Sequence, residues 1–348
     1  MRGWCTPVSQ RGHLKLMATA AAAVLAACGQ HGADTAATTL PPAAEPILAA
    51  PPMTTPPGRL LEVGSYPEGV AVDPATRTVA VATRYPDQLV LINIDSLTVT
   101  AQIPLPGGAR HLALAAPRGP VLVPVETANA LVRVELPQAT ASPPIATGAF
   151  PHDAAAAANG TVFVSNEHDG TVSVLRGNQM VKVLTGFGQP AGVAASGNTV
   201  GVLDARKNTV TVYDAETLSA VGSTAAGAGP THVIADRHGH LIVTDTRGNS
   251  VRVFDPRPTP REVGRAAQPG GPYGLAYDPT RDRLWVSSSG TNEVIGYTVT
   301  DPNLAEVARI PTVQNPYSLG VDPVTGRLFI AGVTGGVVQV IDPGATGG

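Results

Sequence analysis

The stretch LVLINID (residues 89–95) occurs in seven versions along the chain and decides the fold. Each version is a short run rich in β-branched residues, which favours a β-strand. The other six read LVRVEL (131–136), TVSVLR (171–176), TVTVYD (209–214), SVRVFD (250–255), EVIGYT (293–298) and VVQVID (337–342). One valine aligns all seven, and the spacings between the aligned valines are 42, 40, 38, 41, 43 and 44 residues.

Each repeat also opens with a turn that in most copies contains proline, followed by an apolar strand, a polar turn and a second strand. The openings read YPEGVAVDP (66–74), GARHLALAAP (108–117), FPHDAAAAANG (150–160), QPAGVAASGN (189–198), GPTHVIADRHG (229–239), GPYGLAYDPTRD (271–282) and NPYSLGVDPVTG (315–326). A period near 41 residues, built from about four short strands, is typical of a β-propeller. A helical solenoid would need helical spacing of apolar residues, which these repeats lack. The sequence therefore predicts an all-β, seven-bladed β-propeller with four-stranded blades over residues 59–348.

The two ends of this region predict how the ring closes. The last repeat stops at Val340-Ile341-Asp342 without a fourth strand, whereas residues 59–67 resemble the fourth strand that leads into the next blade. We expect residues 60–63 to complete the seventh blade, which would remove an open sheet edge.

Two phrases carry a family resemblance: LVLINIDSLTVTAQIPLPGGARHLAL (89–114) and TVTVYDAETLSAVG (209–222). They resemble the YVTN and YncE-like seven-bladed propellers of exported bacterial proteins, and the resemblance covers residues 59–348. It implies the same fold, and surface, lipoprotein or binding roles. Propellers also include lactonases, lyases and dehydrogenases, so the fold does not assign a reaction.

Composition and charge restrict the class of protein further. Of the 348 residues, 43% are apolar and only 14% are charged, which excludes a highly charged disordered chain. The net charge is −3, and residues 1–27 contain three basic and no acidic side chains. The remainder is therefore more acidic and lacks the basic surface that general nucleic-acid binding needs.

Residues 1–27 have the layout of a bacterial export signal. Arg11 and Lys15 precede an apolar run, LMATAAAAVLAA (16–27), which is too short to span a bilayer. The run ends in Leu-Ala-Ala-Cys at Cys28, which resembles a lipobox and implies that Cys28 is acylated (palmitate or a similar chain) and becomes the mature N-terminus. The alternative is an ordinary signal peptide followed by a chance cysteine. Residues 28–58 contain many prolines and no hydrophobic periodicity, so we expect a lipidated cysteine followed by a disordered tether.

Known catalytic and metal-binding motifs are absent from the sequence, including GxSxG, HExxH, Walker sequences and paired cysteine ligands. We therefore predict no catalytic residue, no metal ligand and no cofactor. The repeat register nevertheless predicts two rings of residues at one mouth of the central channel. The polar members concentrate in blades two to five and form the candidate ligand-binding mouth: His111, Glu126, Asp153, Asn166, Asp204, His232 and Asp245. Arg206, Arg247 and His168 are expected on its rim, while Tyr66, Phe150, Tyr273 and Tyr317 flank the turn prolines.

These polar residues have three interpretations. They can cap strand ends and face water, they can recognise a ligand or partner, or they can hold a divalent metal or act as an acid and base. The leading hypothesis is a lipid-anchored, extracytoplasmic and monomeric binding or scaffolding module for a protein or cell-envelope ligand. The alternative is a propeller lactonase or metal-assisted lyase that uses the same mouth. A purely structural envelope protein is the third hypothesis.

Overall fold

The computed structural model describes residues 40–342 and residue 344. The predicted signal segment, Cys28 and the first part of the predicted tether lie outside these residues. Within the described part of the chain, no helix has the length and apolar character needed to cross a membrane.

The described chain is built almost entirely of β-strands, numbered here in chain order. The first fourteen strands are β1 Arg59–Glu62, β2 Val70–Asp73, β3 Thr78–Thr83, β4 Gln88–Asn93, β5 Val99–Pro104, β6 Ala113–Leu114, β7 Val121–Val125, β8 Ala130–Glu135, β9 Thr140–Ala141, β10 Ile145–Ala146, β11 Pro151–Ala156, β12 Thr161–Asn166, β13 Thr171–Arg176 and β14 Gln179–Leu184. The remaining fifteen are β15 Pro190–Ser196, β16 Thr199–Asp204, β17 Thr209–Asp214, β18 Ser219–Ala225, β19 Pro230–Ala235, β20 Leu241–Asp245, β21 Ser250–Asp255, β22 Arg261–Ala267, β23 Pro272–Asp278, β24 Arg283–Ser288, β25 Glu293–Thr300, β26 Asn303–Pro311, β27 Pro316–Val321, β28 Leu328–Gly332 and β29 Val337–Ile341. One short 3-10 helix, Glu126–Ala128, connects β7 to β8.

These strands form seven antiparallel sheets, the blades of a seven-bladed β-propeller, which confirms the predicted fold class. Blades 1 to 6 follow the chain from β2 to β26, and the fourth strand of blade 2 is divided into β9 and β10. Blade 7 has the order β1-β29-β28-β27, with Arg59 opposite Val340 and Glu62 opposite Val337. The predicted closure of the ring by the N-terminal strand is therefore confirmed. The strand begins at Arg59, one residue before the expected start at Leu60.

The hydrophobic core consists of seven clusters, and each cluster lies between two neighbouring blades. In the cluster between blades 7 and 1, for example, Val79 and Val81 pack with Phe329 and Val338. Since each middle strand has a blade on either side, both of its faces are buried, and its sequence reads as a nearly continuous apolar run. This explains why the repeated stretches contain so few charged residues.

Residues 40–58, which we call the strap, differ from the expected disordered tether. They contain no helix or strand and lie on the propeller, where their backbone carbonyls accept hydrogen bonds from arginine and amide side chains. Arg206 Nη2 donates to Leu40 O at 3.0 Å, Asn292 Nδ2 to Ala50 O at 2.8 Å and Gln339 Nε2 to Pro57 O at 2.7 Å. The strap then continues directly into β1.

Candidate functional site

A β-bulge near the start of the first strand shapes the channel mouth in five blades. The register shifts between Pro151 and Asp153, Pro190 and Val193, Pro230 and His232, Pro272 and Leu275, and Pro316 and Ser318. A bulge places two residues of one strand opposite one residue of its partner, which breaks strict alternation. Two successive side chains after the turn can therefore reach the channel mouth.

The residue two positions after the turn lines the central channel in most blades, as predicted. His111, Asp153, His232, Gly274 and Ser318 contribute to a cavity of about 260 Å³. Most of the other lining residues are apolar residues of the first strands. The cavity shares its wall residues Leu112, Ala195, Ile234 and Leu275 with a wider recess of about 740 Å³. The channel therefore widens away from the histidines.

Aromatic rings form a row across the narrow end of the channel. His111 packs edge-on against His152 and His232, with ring centroids 4.5 and 4.6 Å apart. His232 contacts Tyr273 at 4.3 Å, and Tyr273 lies 5.4 Å from Tyr317. The Nε2 atoms of His111 and His232 are 3.3 Å apart, so one of them donates a hydrogen bond to the other when both rings are neutral.

Burial controls the charge of the titratable groups in this end of the channel. Burial, together with the neighbouring His152 and Arg110, lowers the pKa of His232 to about 3. The pKa of His111 is also well below 6.5, chiefly because of burial. Burial raises the pKa of Asp153 to about 6, although the carboxylate accepts hydrogen bonds from Val193 N at 2.9 Å and Ala154 N at 2.8 Å. The channel therefore contains neutral histidines beside a carboxyl group that titrates close to neutral pH.

A charged network adjoins this row and is centred on Glu126, whose side chain is fully buried. Arg84 Nη2 donates to Glu126 Oε2 at 2.6 Å and Arg84 Nε donates to Glu68 Oε2 at 2.9 Å. Arg110 Nε and His152 Nδ1 lie 3.3 and 3.5 Å from Glu126 Oε1. Burial by itself would raise the pKa of Glu126, but His152, Arg110 and Arg84 together hold it below its usual value. Glu126 therefore joins blades 1, 2 and 3 as an ionised carboxylate.

Sequence reasoning missed three members of this network: Glu68, Arg110 and His152. Each lies one position after the turn residue that opens its repeat. The two predicted rings contain only the residue two positions after that turn residue and the residue at the end of the second strand. In blade 3 the bulge brings the omitted position, His152, to the mouth. Glu68 and Arg110 lie in the segments just before β2 and β6, whose pairing with the second strand has no register shift. The signal in the sequence was the polar or aromatic character of this position in six of the seven repeats: Glu68, Arg110, His152, Thr231, Tyr273 and Tyr317.

The other predicted mouth residues serve mainly to fix the loops between strands. Asp204 accepts hydrogen bonds from Gly188 N at 2.6 Å and Lys207 N at 2.9 Å. Asp245 accepts from Gly229 N at 2.8 Å and Gly248 N at 3.0 Å. Their geometry matches the strand-capping interpretation of the sequence.

Asn166 likewise serves its own blade, because its amide donates to Thr171 Oγ1 and Ser173 Oγ at 2.9 Å. The predicted cluster thus divides into channel residues (His111, Asp153, His232), a buried ionic centre (Glu126) and loop-fixing residues (Asn166, Asp204, Asp245).

The strap covers the mouth that carries the row of aromatic rings. A space of only about 20 Å³ remains where residues Ala43, Ala44 and Glu45 lie over Arg110, His152, Glu167, Thr231, His232 and Tyr273. The predicted rim residues Arg206 and Arg247 hold the strap, since Arg247 Nη2 donates to Pro42 O at 2.9 Å. This mouth is therefore closed by the protein's own chain, and the channel is reached from the opposite end.

The remaining predicted aromatic and rim residues lie on the surface or beside it. Tyr66 is 52% exposed and contacts Tyr85 edge-on, with ring centroids 5.7 Å apart. Phe150 stacks on His168 at 4.0 Å. These contacts lie outside the channel wall.

The histidines and carboxylates of the mouth do not surround a common point. Over residues 40–342 and residue 344, no group of three or more His, Cys, Asp or Glu side chains is arranged to hold a metal ion as it stands. The chemistry open to the channel site is hydrogen bonding and proton exchange at Asp153 and the neutral histidines.

No protein-family model matches this chain, and no curated protein matches it in sequence. Solved structures match its fold. A chain of hydrazine synthase from Kuenenia stuttgartiensis has a TM-score of 0.71 at 17% identity, covering 80% of this chain and 96% of that one.

Virginiamycin B lyase from Staphylococcus aureus has a TM-score of 0.66 at 14% identity, covering 81% of this chain and 98% of that one. A chain of the mitotic checkpoint complex has a TM-score of 0.69 at 15% identity, covering 87% and 95%. At such identities the likeness shows the β-propeller fold.

Proposed function

We propose that the chain is a membrane-anchored extracytoplasmic lipoprotein whose propeller binds a small amphipathic ligand in its central channel. The observation that supports this proposal is the shape and polarity of the channel. Its wide end opens away from the strap, and its narrow end presents Asp153, His111 and His232. Most of the residues between the two ends are apolar, although polar atoms supply a comparable share of the exposed wall. Ligand sites in proteins are typically apolar cavities with a few polar groups that fix orientation.

The polar end of the channel suits a ligand with one hydrogen-bonding head. Asp153 offers carboxylate oxygens, and a neutral histidine offers both a donor and an acceptor. The apolar body of the ligand would then lie against Leu112, Val193 and Leu275. Cell-envelope components with an apolar body and a small polar head have this chemistry.

The membrane anchor is supported by the sequence at Cys28. Acylation of the mature N-terminal cysteine would hold the protein on a membrane, because each buried methylene contributes about 0.8 kcal/mol. We expect Cys28→Ser to move the protein from the membrane fraction to the soluble fraction of cells expressing it, as followed by immunoblotting. A variant that stays with the membrane after a high-salt wash would disprove the anchor.

The channel site is tested with N-phenyl-1-naphthylamine, a neutral fluorescent amine with an apolar body. We expect saturable binding to the mature protein with one site per chain. Ser318→Phe should weaken this binding at least about tenfold, since Ser318 lines the channel and the new ring would fill it. Ser219→Phe is the matched control, because Ser219 is exposed on the outer strand β18. Equal binding by both variants would contradict the channel site.

The second candidate function is a propeller enzyme, and the observation that favours it is the raised pKa of Asp153, about 6. A buried carboxyl group that titrates near neutral pH beside neutral histidines can take up and return a proton. Some structures with this fold are named as lyases, among them a virginiamycin B lyase solved with quinupristin. Consumption of quinupristin by the wild type but not by Asp153→Asn, followed by chromatography, would favour this alternative.

Protein partners form a further part of the proposal. A chain of the mitotic checkpoint complex shares the fold, and so does U3-55K. We propose that the propeller surface outside the channel gives this chain a protein-binding role as well.

A further inference from the structure

A second histidine cluster lies at the wide end of the channel, where the turn 236–240 of blade 5 meets two turns of blade 6. His238 and His240 belong to the turn between β19 and β20. Asp282 lies in the turn between β23 and β24, and Asp301 lies between β25 and β26. No sequence pattern marks this cluster, because it joins turns from different repeats.

The turn of blade 5 is held in shape by Asp236, whose side chain is fully buried. Asp236 Oδ1 accepts hydrogen bonds from His238 N at 2.9 Å and from His240 N at 2.8 Å. Gly239, with φ of +95°, lies between the two histidines and adopts a conformation that favours glycine. Both imidazoles are thereby directed toward blade 6.

Each imidazole is hydrogen-bonded to a carboxylate through one ring nitrogen. His238 Nε2 lies 3.0 Å from Asp282 Oδ2, and His240 Nδ1 lies 3.1 Å from Asp236 Oδ2. A neutral imidazole has a single N–H, so these contacts place the proton on the nitrogen that faces the carboxylate. The opposite nitrogen of each ring then presents a lone pair.

Both of these nitrogens lie near the same carboxylate, that of Asp301. His240 Nε2 is 3.5 Å from Asp301 Oδ1, and His238 Nδ1 is 4.0 Å from Asp301 Oδ2. A lone pair that faces a carboxylate is unfavourable, and either a proton on the ring or a metal cation between the groups removes the conflict. The surroundings also attract a cation, since three carboxylates (Asp236, Asp282, Asp301) face one guanidinium, that of Arg237, which pairs with Asp282 at 2.5 Å. Tyr277 OH donates to Asp282 as well.

From this arrangement we propose a zinc site with His238 Nδ1, His240 Nε2 and an Asp301 oxygen as ligands. Zinc binds histidine nitrogen and carboxylate oxygen at about 2.0–2.2 Å, which puts tetrahedral ligands roughly 3.3 Å apart. The observed separations are somewhat longer, which is why no ligand set is complete as it stands. Asp301 is 54% exposed on a turn, so a shift of its side chain would complete the set.

Asp282 and Asp236 would then be the partners that orient the two imidazoles. Ligating histidines in proteins almost always donate their second N–H to a carboxylate or carbonyl, and loss of that partner typically weakens metal binding 10–100-fold. A fourth position would remain open to water beside Arg237 and Tyr277, which line the wide recess of the channel. The site does not depend on the proposed channel function.

The test is calorimetric titration of tag-free, chelator-treated mature protein with zinc chloride at pH 7.5. We expect one zinc ion per chain and a rise in melting temperature that a chelator reverses. Magnesium chloride should give neither effect, because imidazole ligands do not suit magnesium.

Variants separate this site from general binding to surface histidines. His238→Ala, His240→Ala and Asp301→Asn should each weaken zinc binding by at least about tenfold, and Asp282→Asn by about 10–100-fold. His168→Ala is the control, since His168 is exposed on the opposite mouth and should leave affinity unchanged. Asp301→Asn alters only an exposed turn, so it tests the site even if a histidine variant misfolds. Failure of the wild type to bind zinc, or equal affinity in Asp301→Asn and His168→Ala, would overturn the proposal.

Discussion

Replacing Glu126 with alanine is expected to destabilise the folded protein by about 3 kcal/mol, measured by urea unfolding at pH 7. The side chain of Glu126 is fully buried, and its removal leaves Arg84 and Arg110 without their principal counter-charge. Breaking a buried ion pair by removing one partner typically costs about 3–5 kcal/mol. The lower end applies because the Arg84 and Arg110 side chains are 20% and 28% exposed and can recruit water.

The effect of Glu126→Ala should depend on pH in a defined direction. The folded pKa of Glu126 lies below its ordinary value of 4.5, so its ionised form stabilises the fold above pH 4.5. That contribution is lost as the pH falls through the folded pKa. The difference in unfolding free energy between wild type and Glu126→Ala should therefore narrow below pH 4.5.

The control for this prediction is Glu135→Ala, which removes an exposed carboxylate at the end of β8. Its effect should stay within about 0.5 kcal/mol. If Glu126→Ala lowers the free energy of unfolding by less than about 1 kcal/mol, or by the same amount as Glu135→Ala, the buried network does not stabilise the fold.

Leu61→Pro is expected to destabilise the ring by about 2–3 kcal/mol, because it removes a hydrogen bond that closes blade 7. Val63 N donates to Gly336 O at 3.1 Å, and Leu61 lies opposite Val338 two residues farther along the antiparallel ladder. Since hydrogen-bonded pairs alternate in such a ladder, the N–H of Leu61 faces β29. The substitution would leave a carbonyl of β29 without its donor.

The neighbouring position supplies a matched control. The N–H of Leu60 faces away from β29 by the same alternation, and its side chain is 46% exposed. Proline is tolerated on an edge strand where the N–H faces solvent, so Leu60→Pro should cost less than about 1 kcal/mol. Urea midpoints for the two variants measure the difference. Equal losses would mean that proline acts through the general stiffness of the segment and not through ring closure.

The blades were predictable because their sequence signal is repeated and physically simple. A strand buried between two blades must be apolar on both faces, and this requirement recurs at every repeat. The closing strand was predictable for a related reason, since the last repeat lacked a fourth strand and the N-terminal stretch resembled one. His111, Asp153 and His232 were found because the first strands occupy equivalent positions.

The bulge and the strap could not be predicted by the same reasoning. The bulge of blade 3 brings His152 to the mouth, and an alternating pattern assigns only every second residue to it. Glu68 and Arg110 lie in the segments before β2 and β6, where strand alternation makes no assignment. The strap is bound largely through its backbone carbonyls, which every amino acid supplies. Such contacts leave no pattern in the sequence, so a proline-rich segment that docks looks the same as one that does not.

The continuity between the strap and β1 determines how the propeller would bear mechanical load. A force applied from the N-terminal side reaches the strap before it reaches the strand that closes the ring. The hydrogen bonds from Arg206, Arg247 and Asn292 to strap carbonyls would therefore break before β1 is strained. The pairing of β1 with β29, which closes the ring, is therefore protected by a series of hydrogen bonds. These bonds can break and re-form while the ring stays closed.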